Sequence, residues 1–219
     1  MPVTLPDYTF KLISIGESCS GKTSIISKFT GLGKDHSRYI EIPTIGIDFR
    51  MANVVVNEMN IKLHFWDTGG LEKYRSIVRS YYADCAGVLV CFDLTSWTSF
   101  KKVDYWINEI RNVSRPEVCI ILIGNKLDLV KERRVTKDVA EHYASEHGMK
   151  YFEVSAMSGV NIKEAILSLV EKIYVIFVEG ELSCRGIKAS NSLRIKLKSD
   201  PNDDKKVGCF RDNECCVII

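Results

Sequence analysis

The sequence predicts an α/β domain built on a mainly parallel sheet. Two observations carry this. Apolar segments of strand length alternate with segments of helical period, and three of the strand segments are continuously apolar. Alternation implies strands joined through helices, and therefore parallel neighbours. A strand apolar on both faces is one covered on both sides. At 219 residues, against roughly 150 per domain, the chain reads as one domain with an appendage.

Taken in order, strands are expected at Phe10–Gly16, Val54–Asn57, Ile61–Asp67, Gly87–Asp93, Val118–Gly124 and Tyr151–Val154. Met51–Asn57 and Ile61–Asp67 flank a turn at Glu58-Met59-Asn60, so one edge strand should run antiparallel as a hairpin. Helices are expected at Lys22–Thr30, Ser99–Val113, Lys137–His147 and Ile162–Val178. The last carries apolar residues at 162, 166, 169, 170, 173 and 177, one face at period 3.6. Asn161 followed by Glu164 reads as a capping box at its start.

The composition is that of an ordinary globular domain, with 46% hydrophobic and 26% charged residues. Thirty Lys+Arg against 28 Asp+Glu leave +2, too balanced for a nucleic-acid binder of the basic kind. Eight cysteines stand at 19, 85, 91, 119, 184, 209, 215 and 216, with no C-x-x-C pair, so zinc-ribbon and thioredoxin chemistry have no local signature. The N-terminal residues show no signal-peptide pattern, and no apolar run approaches the ~18 residues of a membrane span. An intracellular chain with reduced thiols is expected. Residues 1–7 read as a short arm and 8–180 as the folded domain. The 39 residues 181–219 lack a sustained periodic face, hold eight basic and six acidic residues, and read as a flexible tether.

Chemistry concentrates in four motifs. Gly16-Glu17-Ser18-Cys19-Ser20-Gly21-Lys22-Thr23 matches G-x-x-x-x-G-K-[ST] between a strand and a helix. Its glycines let successive amides face phosphate oxygens, joined by the positive end of the next helix. Lys22 is expected on the β- and γ-phosphates and Thr23 on Mg²⁺. Asn125-Lys126-Leu127-Asp128 follows an apolar strand. A carboxylate at Asp128 accepts from guanine N1–H and its exocyclic amine, a pair that adenine lacks. Asn125 would tie this loop to the first, and the Lys126 stem would cover the base. Ser155-Ala156, after the last strand, would offer an amide to guanine O6. Asp67-Thr68-Gly69-Gly70 ends a strand, with Asp67 toward Mg²⁺ and the Gly70 amide toward a γ-phosphate oxygen. Thr44 is the expected second protein ligand to Mg²⁺. The contacts of Thr44 and Gly70 require a γ-phosphate, so the two loops form a switch.

With these motifs in this order the chain resembles a Ras-superfamily small GTPase of the Rab branch, across residues 8–180 and the very end. Ile45-Gly46-Ile47-Asp48-Phe49, Lys62–Asp67, Tyr74-Arg75-Ser76-Ile77, Ser80-Tyr81-Tyr82 and Phe92-Asp93-Leu94-Thr95 carry the finer likeness. The resemblance implies a three-layer P-loop NTPase fold with a six-stranded, mostly parallel sheet and five helices. It also implies a monomeric GTPase in vesicle trafficking that cycles between GTP and GDP with Mg²⁺. Nucleotide would be held by Ser18, Cys19, Ser20, Gly21, Lys22, Thr23, Ser24, Thr44, Gly70, Asn125, Lys126, Asp128, Ser155, Ala156 and Met157. Catalysis would rest on Lys22, Thr44 and Gly70, and the metal on Thr23, Thr44 and Asp67. Effector proteins would read Ile45, Phe49, Trp66 and Tyr81 or Tyr82. Further implied partners are an exchange factor, a GTPase-activating protein, a GDP-dissociation inhibitor and the prenyl transferase machinery, with no nucleic acid.

Departures from the family pattern matter too. Leu71 stands where the family has the Gln that orients the attacking water. A side chain without donor or acceptor cannot do that, so slow intrinsic hydrolysis is expected. A natural slow GTPase, a substitution that traps the active form and compensation in trans are all consistent with it. The alternative function is a constitutively GTP-bound membrane adaptor. His36 or Tyr39 would have to replace the aromatic that normally lies over the base. Arg38 reads better as a solvated loop residue than as an arginine finger. The chain ends Cys215-Cys216-Val217-Ile218-Ile219, a C-a-a-X-like pattern with an adjacent cysteine. Two prenyl groups at Cys215 and Cys216 would give stable anchoring where one gives marginal binding. The expected location is the cytoplasmic face of intracellular membranes, with a cytosolic pool. Cys85, Cys91 and Cys119, in or beside apolar strands, read as small core residues.

Overall fold

The computed structural model describes residues 5–31, 44–70, 79–178 and 187–189. Its elements are β1 (Tyr8–Ile15), α1 (Lys22–Thr30), β2 (Ile47–Val56), β3 (Met59–Thr68), β4 (Gly87–Asp93), α2 (Trp97–Lys101), α3 (Val103–Arg111), β5 (Cys119–Asn125), α4 (Lys137–Glu146), β6 (Lys150–Glu153), α5 (Ile162–Val178) and β7 (Ile187–Ala189). Six strands lie in the order β2-β3-β1-β4-β5-β6. All neighbours are parallel except the β2–β3 hairpin. The mixed sheet with helices on both faces is therefore as expected.

The continuous apolar runs have a direct physical cause. Along β4, Leu89 and Cys91 pack into one core while Val88, Val90 and Phe92 pack into the other. In β5, Cys119, Ile121 and Ile123 face the first and Ile120 and Leu122 the second. The first core lies under α1 and α5, whose Ile162, Ala165, Ile166, Leu169, Val170 and Ile173 are all buried. The second lies under α3 and α4, through Val103, Trp106, Ile107, Ile110, Ala140 and Ala144. Cys85, Cys91 and Cys119 are buried in these cores.

Four local expectations change. The hairpin turn is tighter than the sequence suggests: Val56 pairs with Met59, leaving Asn57 and Glu58 at φ 48° and 66°. Positive φ at both central residues is what a two-residue hairpin needs to match strand twist. The helix expected over 99–113 is two segments that meet at Lys102, whose amide is shared between the Thr98 and Phe100 carbonyls. Asn161 stands at the start of α5, its carbonyl accepting from the Ala165 amide at 3.0 Å, but no capping box forms: its φ is 59° and its side-chain amide donates instead to the Glu153 carbonyl at 2.8 Å.

The fourth change lies in the segment read as tether. Ile187–Ala189 forms a strand antiparallel to β1, with Ile187 opposite Phe10 and Ala189 opposite Tyr8. β4 pairs only with Leu12–Ile15, so the first turns of β1 present an edge on that side, and β7 covers it. Ile187 and Ala189 pack against the first core. Because β7 runs antiparallel, Ala189 stands at the N-terminal end of β1.

Ile187→Asp puts a carboxylate against this core and should lower stability by about 1–2 kcal/mol. Denaturant unfolding checks the loss, and hydrogen exchange should speed up at the Tyr8–Phe10 amides facing β7.

Candidate functional site

Four of the chemistry-bearing segments lie at the C-terminal ends of β1, β3, β5 and β6, and Thr44 precedes β2, whose antiparallel start lies beside the end of β3, so the fold gathers them at one end of the sheet. The site lies where the strand order reverses about β1, the general position for ligands on open α/β sheets. Between β1 and α1, positive φ at Gly16 (141°), Cys19 (61°) and Gly21 (85°) turns the loop into a concave run of amides. Gly21 is required twice over, by its φ and because a Cβ there would strike the Asn125 side-chain amide. Ser18 is half-buried, Cys19 is exposed, and Ser24 sits half-buried in the first turn of α1.

Lys22 is buried and donates to the carbonyls of Gly16 (3.0 Å) and Glu17 (2.8 Å). Burial pulls its ammonium below the ordinary lysine range, with Cys91 and Asp67 opposing. Asp67 has no exposure to solvent. Its carboxylate accepts from Ser14 Oγ at 2.8 Å and Thr23 Oγ1 at 2.5 Å. Burial pushes its carboxyl above the usual range, against those two bonds and Lys22. Thr44 Oγ1 lies 2.8 Å from Thr23 Oγ1. Three oxygens from three elements thus meet at one point: Thr23 on α1, Thr44 before β2, and Asp67 on β3.

Gly69 and Gly70 carry the β3 end across the loop. The Gly69 amide donates to the Gly46 carbonyl at 2.8 Å, joining it to the segment that holds Thr44. A Cβ on Gly70 would run into the backbone of Gly16, Glu17 and Ser18, so this backbone can lie against the loop only as glycine.

The second half of the site is organised by Asn125. Its amide donates to the Ser20 carbonyl at 3.0 Å and its oxygen accepts from the Ala156 amide at 3.0 Å. One side chain therefore ties the loops after β1, β5 and β6. Ser155 Oγ donates to Asp128 at 2.5 Å, and Lys126 pairs with Asp93 at 2.8 Å. The Asp128 carboxylate is exposed rather than buried. Nor is the expected amide of Ser155-Ala156 reserved for a base: Ser155 N–H goes to the Val160 carbonyl at 3.2 Å and Ala156 N–H to Asn125. Met157 is 62% exposed, its carbonyl accepting from Lys28 at 3.3 Å.

Phe49, Trp66 and Tyr81 form a continuous aromatic strip, with ring centroids 5.1 and 5.0 Å apart. Phe49 and Ile45 are well exposed beside it. Tyr82 does not belong to this strip. It is 2% exposed and packs in the second core with Ile13 and Phe92. Leu71, His36, Arg38, Tyr39, Cys215 and Cys216 lie outside the described residues.

Two braces escaped the sequence reading. Trp106 Nε1 donates to Glu17 at 3.2 Å, fixing the phosphate-type loop to α3 across 89 residues of sequence. Arg133 grips Glu153 with two bonds of 2.7 and 2.8 Å, while Tyr151 donates to the same carboxylate at 3.0 Å. No local pattern marks either pair.

The residues present fit a nucleotide with a divalent cation. Ser20 Oγ is buried without a hydrogen-bond partner among the described residues, at the centre of a loop of inward amides. The Thr23, Thr44 and Asp67 oxygens supply hard ligands of the kind Mg²⁺ takes.

Comparison with known proteins gives a family model, Ras family, matching residues 11–175. Among curated relatives, the Ras-related protein RABA6b of Arabidopsis thaliana is 38% identical over 173 residues, 79% of this chain and 74% of its own. The Ras-related protein Rab-13 of Rattus norvegicus is 36% identical over 199 residues, 91% of this chain and 96% of its own. The GTP-binding protein YPTM1 of Zea mays is 35% identical over 212 residues, 96% of this chain and 97% of its own.

The Arg133–Glu153 grip predicts an acid sensitivity. Burial alone would raise the Glu153 carboxyl, but the bonds from Arg133 and Tyr151 hold it below its unfolded value of 4.5. The stabilisation is therefore complete above that value and disappears as pH falls through the lower, folded one. Arg133→Gln should cost about 1–2 kcal/mol at neutral pH, and much less at a pH where Glu153 is protonated. Urea unfolding at both pH values measures the difference.

Proposed function

The chain belongs to the Ras family as a Rab-like small GTPase, and from that premise we propose that it is a Mg²⁺-dependent, membrane-anchored switch in vesicle trafficking whose own hydrolysis is slow. The observation that carries the nucleotide half of this reading is the meeting of the Thr23, Thr44 and Asp67 oxygens beside buried Lys22 and the unpartnered Ser20 hydroxyl. Thr23, Thr44 and Asp67 would hold Mg²⁺, Asp67 through water. When bound, the ion neutralises charge on the β- and γ-phosphate oxygens.

The chain's own residues supply the rest. The loop amides and Lys22 hold the phosphates and offset the charge that builds on the leaving oxygen as water attacks the γ-phosphorus. The Gly70 amide would bond a γ-phosphate oxygen. Thr44 and Gly70 are already linked through Gly46 and Gly69, so a bond at either one holds both loops. Loss of the γ-phosphate releases them together, which is the switch. Asp128, oriented by Ser155, would select guanine.

Slow hydrolysis follows from Leu71, which offers no hydrogen bond to the attacking water. Retention of GTP would leave the aromatic strip of Phe49, Trp66 and Tyr81 in its effector-binding state, with exchange and GTPase-activating proteins setting the timing. Prenylation at Cys215 and Cys216 would place the domain on the cytoplasmic face of a membrane, with extraction by a GDP-dissociation inhibitor.

Single-turnover hydrolysis should accelerate by at least about tenfold in Leu71→Gln. An unchanged rate would sink the assignment of Leu71. Asn125→Ala removes bonds to two loops at once and should weaken guanine-nucleotide binding by about 2 kcal/mol, roughly thirtyfold. Titration with a fluorescent GDP analogue reads it.

A further inference from the structure

The end of the sheet opposite the nucleotide carries a second concavity. It occupies about 590 Å³ at the starts of β5 and β6, between the ends of α3, α4 and α5. Its polar lining is Arg111, Arg115, Lys172 and His147 against a single carboxylate, Glu117, and Met149 forms part of its floor. Three permanent cations against one anion leave +2, equal to the net charge of the entire chain. The volume lies in the range of small-ligand sites rather than of packing defects.

The basic groups are set by the fold. Arg111 ends α3 and donates to the His147 carbonyl at 3.2 Å, bridging the tips of two helices. The His147 ring stacks on Tyr143 at 4.2 Å, with Nδ1 2.9 Å from the Tyr143 carbonyl and Nε2 4.0 Å from Asp104. Arg115 is half-buried in the loop before β5, and Lys172 is half-buried on α5. Arginine forks and a lysine around an apolar floor match a compact, multiply charged phosphate group. None of these residues belongs to the nucleotide site.

A topological fact points to the source of that phosphate. β7 pairs with Tyr8–Phe10 and runs away from the nucleotide end, so Ala189, its last residue, stands at the same end of the sheet as the cavity. A tail anchored in a membrane would draw this end, not the aromatic strip, toward the lipid surface. We propose that this cavity is a second ligand site, which takes the phosphorylated headgroup of an inositol lipid. Only the orientation argument rests on the anchor reading; the cavity and its charge stand without it.

The test uses the full chain with Cys215→Ser and Cys216→Ser, so that prenylation plays no part. Co-sedimentation compares vesicles of phosphatidylcholine alone, with phosphatidylserine, and with phosphatidylinositol bisphosphate at matched total charge. Binding should be about tenfold tighter to the inositol lipid than to phosphatidylserine, and Arg115→Gln with Lys172→Gln should abolish that preference. Guanine-nucleotide affinity of the double variant should be unchanged, which shows that it folds. Soluble inositol trisphosphate should shift the NMR amide signals of Gly148 and Met149. Equal binding to both anionic vesicles, or a preference that survives in the double variant, overturns the proposal. So does inorganic phosphate saturating the same signals as tightly as inositol trisphosphate, which would assign the site to free anion. Absence of prenyl mass on the wild-type tail would remove the anchor and leave this result standing.

Discussion

A carboxylate sealed from water stands where three segments of this protein meet. Asp67 closes β3, accepts from Ser14 on β1 and from Thr23 on α1, and lies within the field of buried Lys22. A buried charge is costly unless it is paired and hydrogen-bonded. Here the compensation is incomplete: burial pushes the Asp67 carboxyl up and the Lys22 ammonium down, each toward neutrality. Such a site gains from ligands that bring both signs of charge, an anion for Lys22 and a cation for Asp67. A nucleotide polyphosphate with a divalent ion answers both. Thr44 reaches this cluster through the Thr23 hydroxyl, 2.8 Å from its own.

The rest of the site is a matter of holding loops in register with that cluster. Each loop follows a different strand, and the sheet alone fixes only their roots. Asn125 joins the three loop tips by bonding to both Ser20 and Ala156. Behind it, Arg133 and Tyr151 hold Glu153 at the end of β6, just before Ser155 orients Asp128. On the other flank Trp106 holds Glu17. Preorganisation of this kind keeps amides and carboxylates from relaxing onto one another, so that they act on a ligand without first reorganising.

How much of this was legible in the sequence divides by range of interaction. The runs through β4 and β5 announced strands covered on both faces because burial is written into residue type, position by position. The loop after β1 was legible because its glycines are demanded by local backbone geometry. Tyr82 was misplaced because an adjacent tyrosine pair gives no period from which to tell the exposed ring from the core one. β7 escaped for a related reason. Three residues, of which Ile187 and Ala189 touch the core, carry no periodic signal, and only the unpaired edge of β1 makes them a strand. Glu17–Trp106 and Arg133–Glu153 are long-range pairs whose partners look like ordinary surface residues until the sheet brings them together.

The seventh strand also changes what the C-terminal segment can do. Read from the sequence, the tether would begin near residue 180; in the structure the chain is still bound to β1 at Ala189. From there to Cys215 is 26 residues (215 minus 189), which span at most about 90 Å when fully extended. More important than the shorter reach is the point of departure. Ala189 stands opposite Tyr8, at the end of β1 farthest from Asp67. The sheet thereby keeps the Thr23–Thr44–Asp67 cluster at the C-terminal ends of its parallel strands, and Ala189 with the basic cavity at their N-terminal ends. Any force applied through β7 would act on β1, the strand that leads into the loop at Gly16–Gly21. β7 and the loop at Gly16–Gly21 are thus joined through a single buried strand, while Phe49 and Trp66 of the aromatic strip stand beside the Asp67 end of the site.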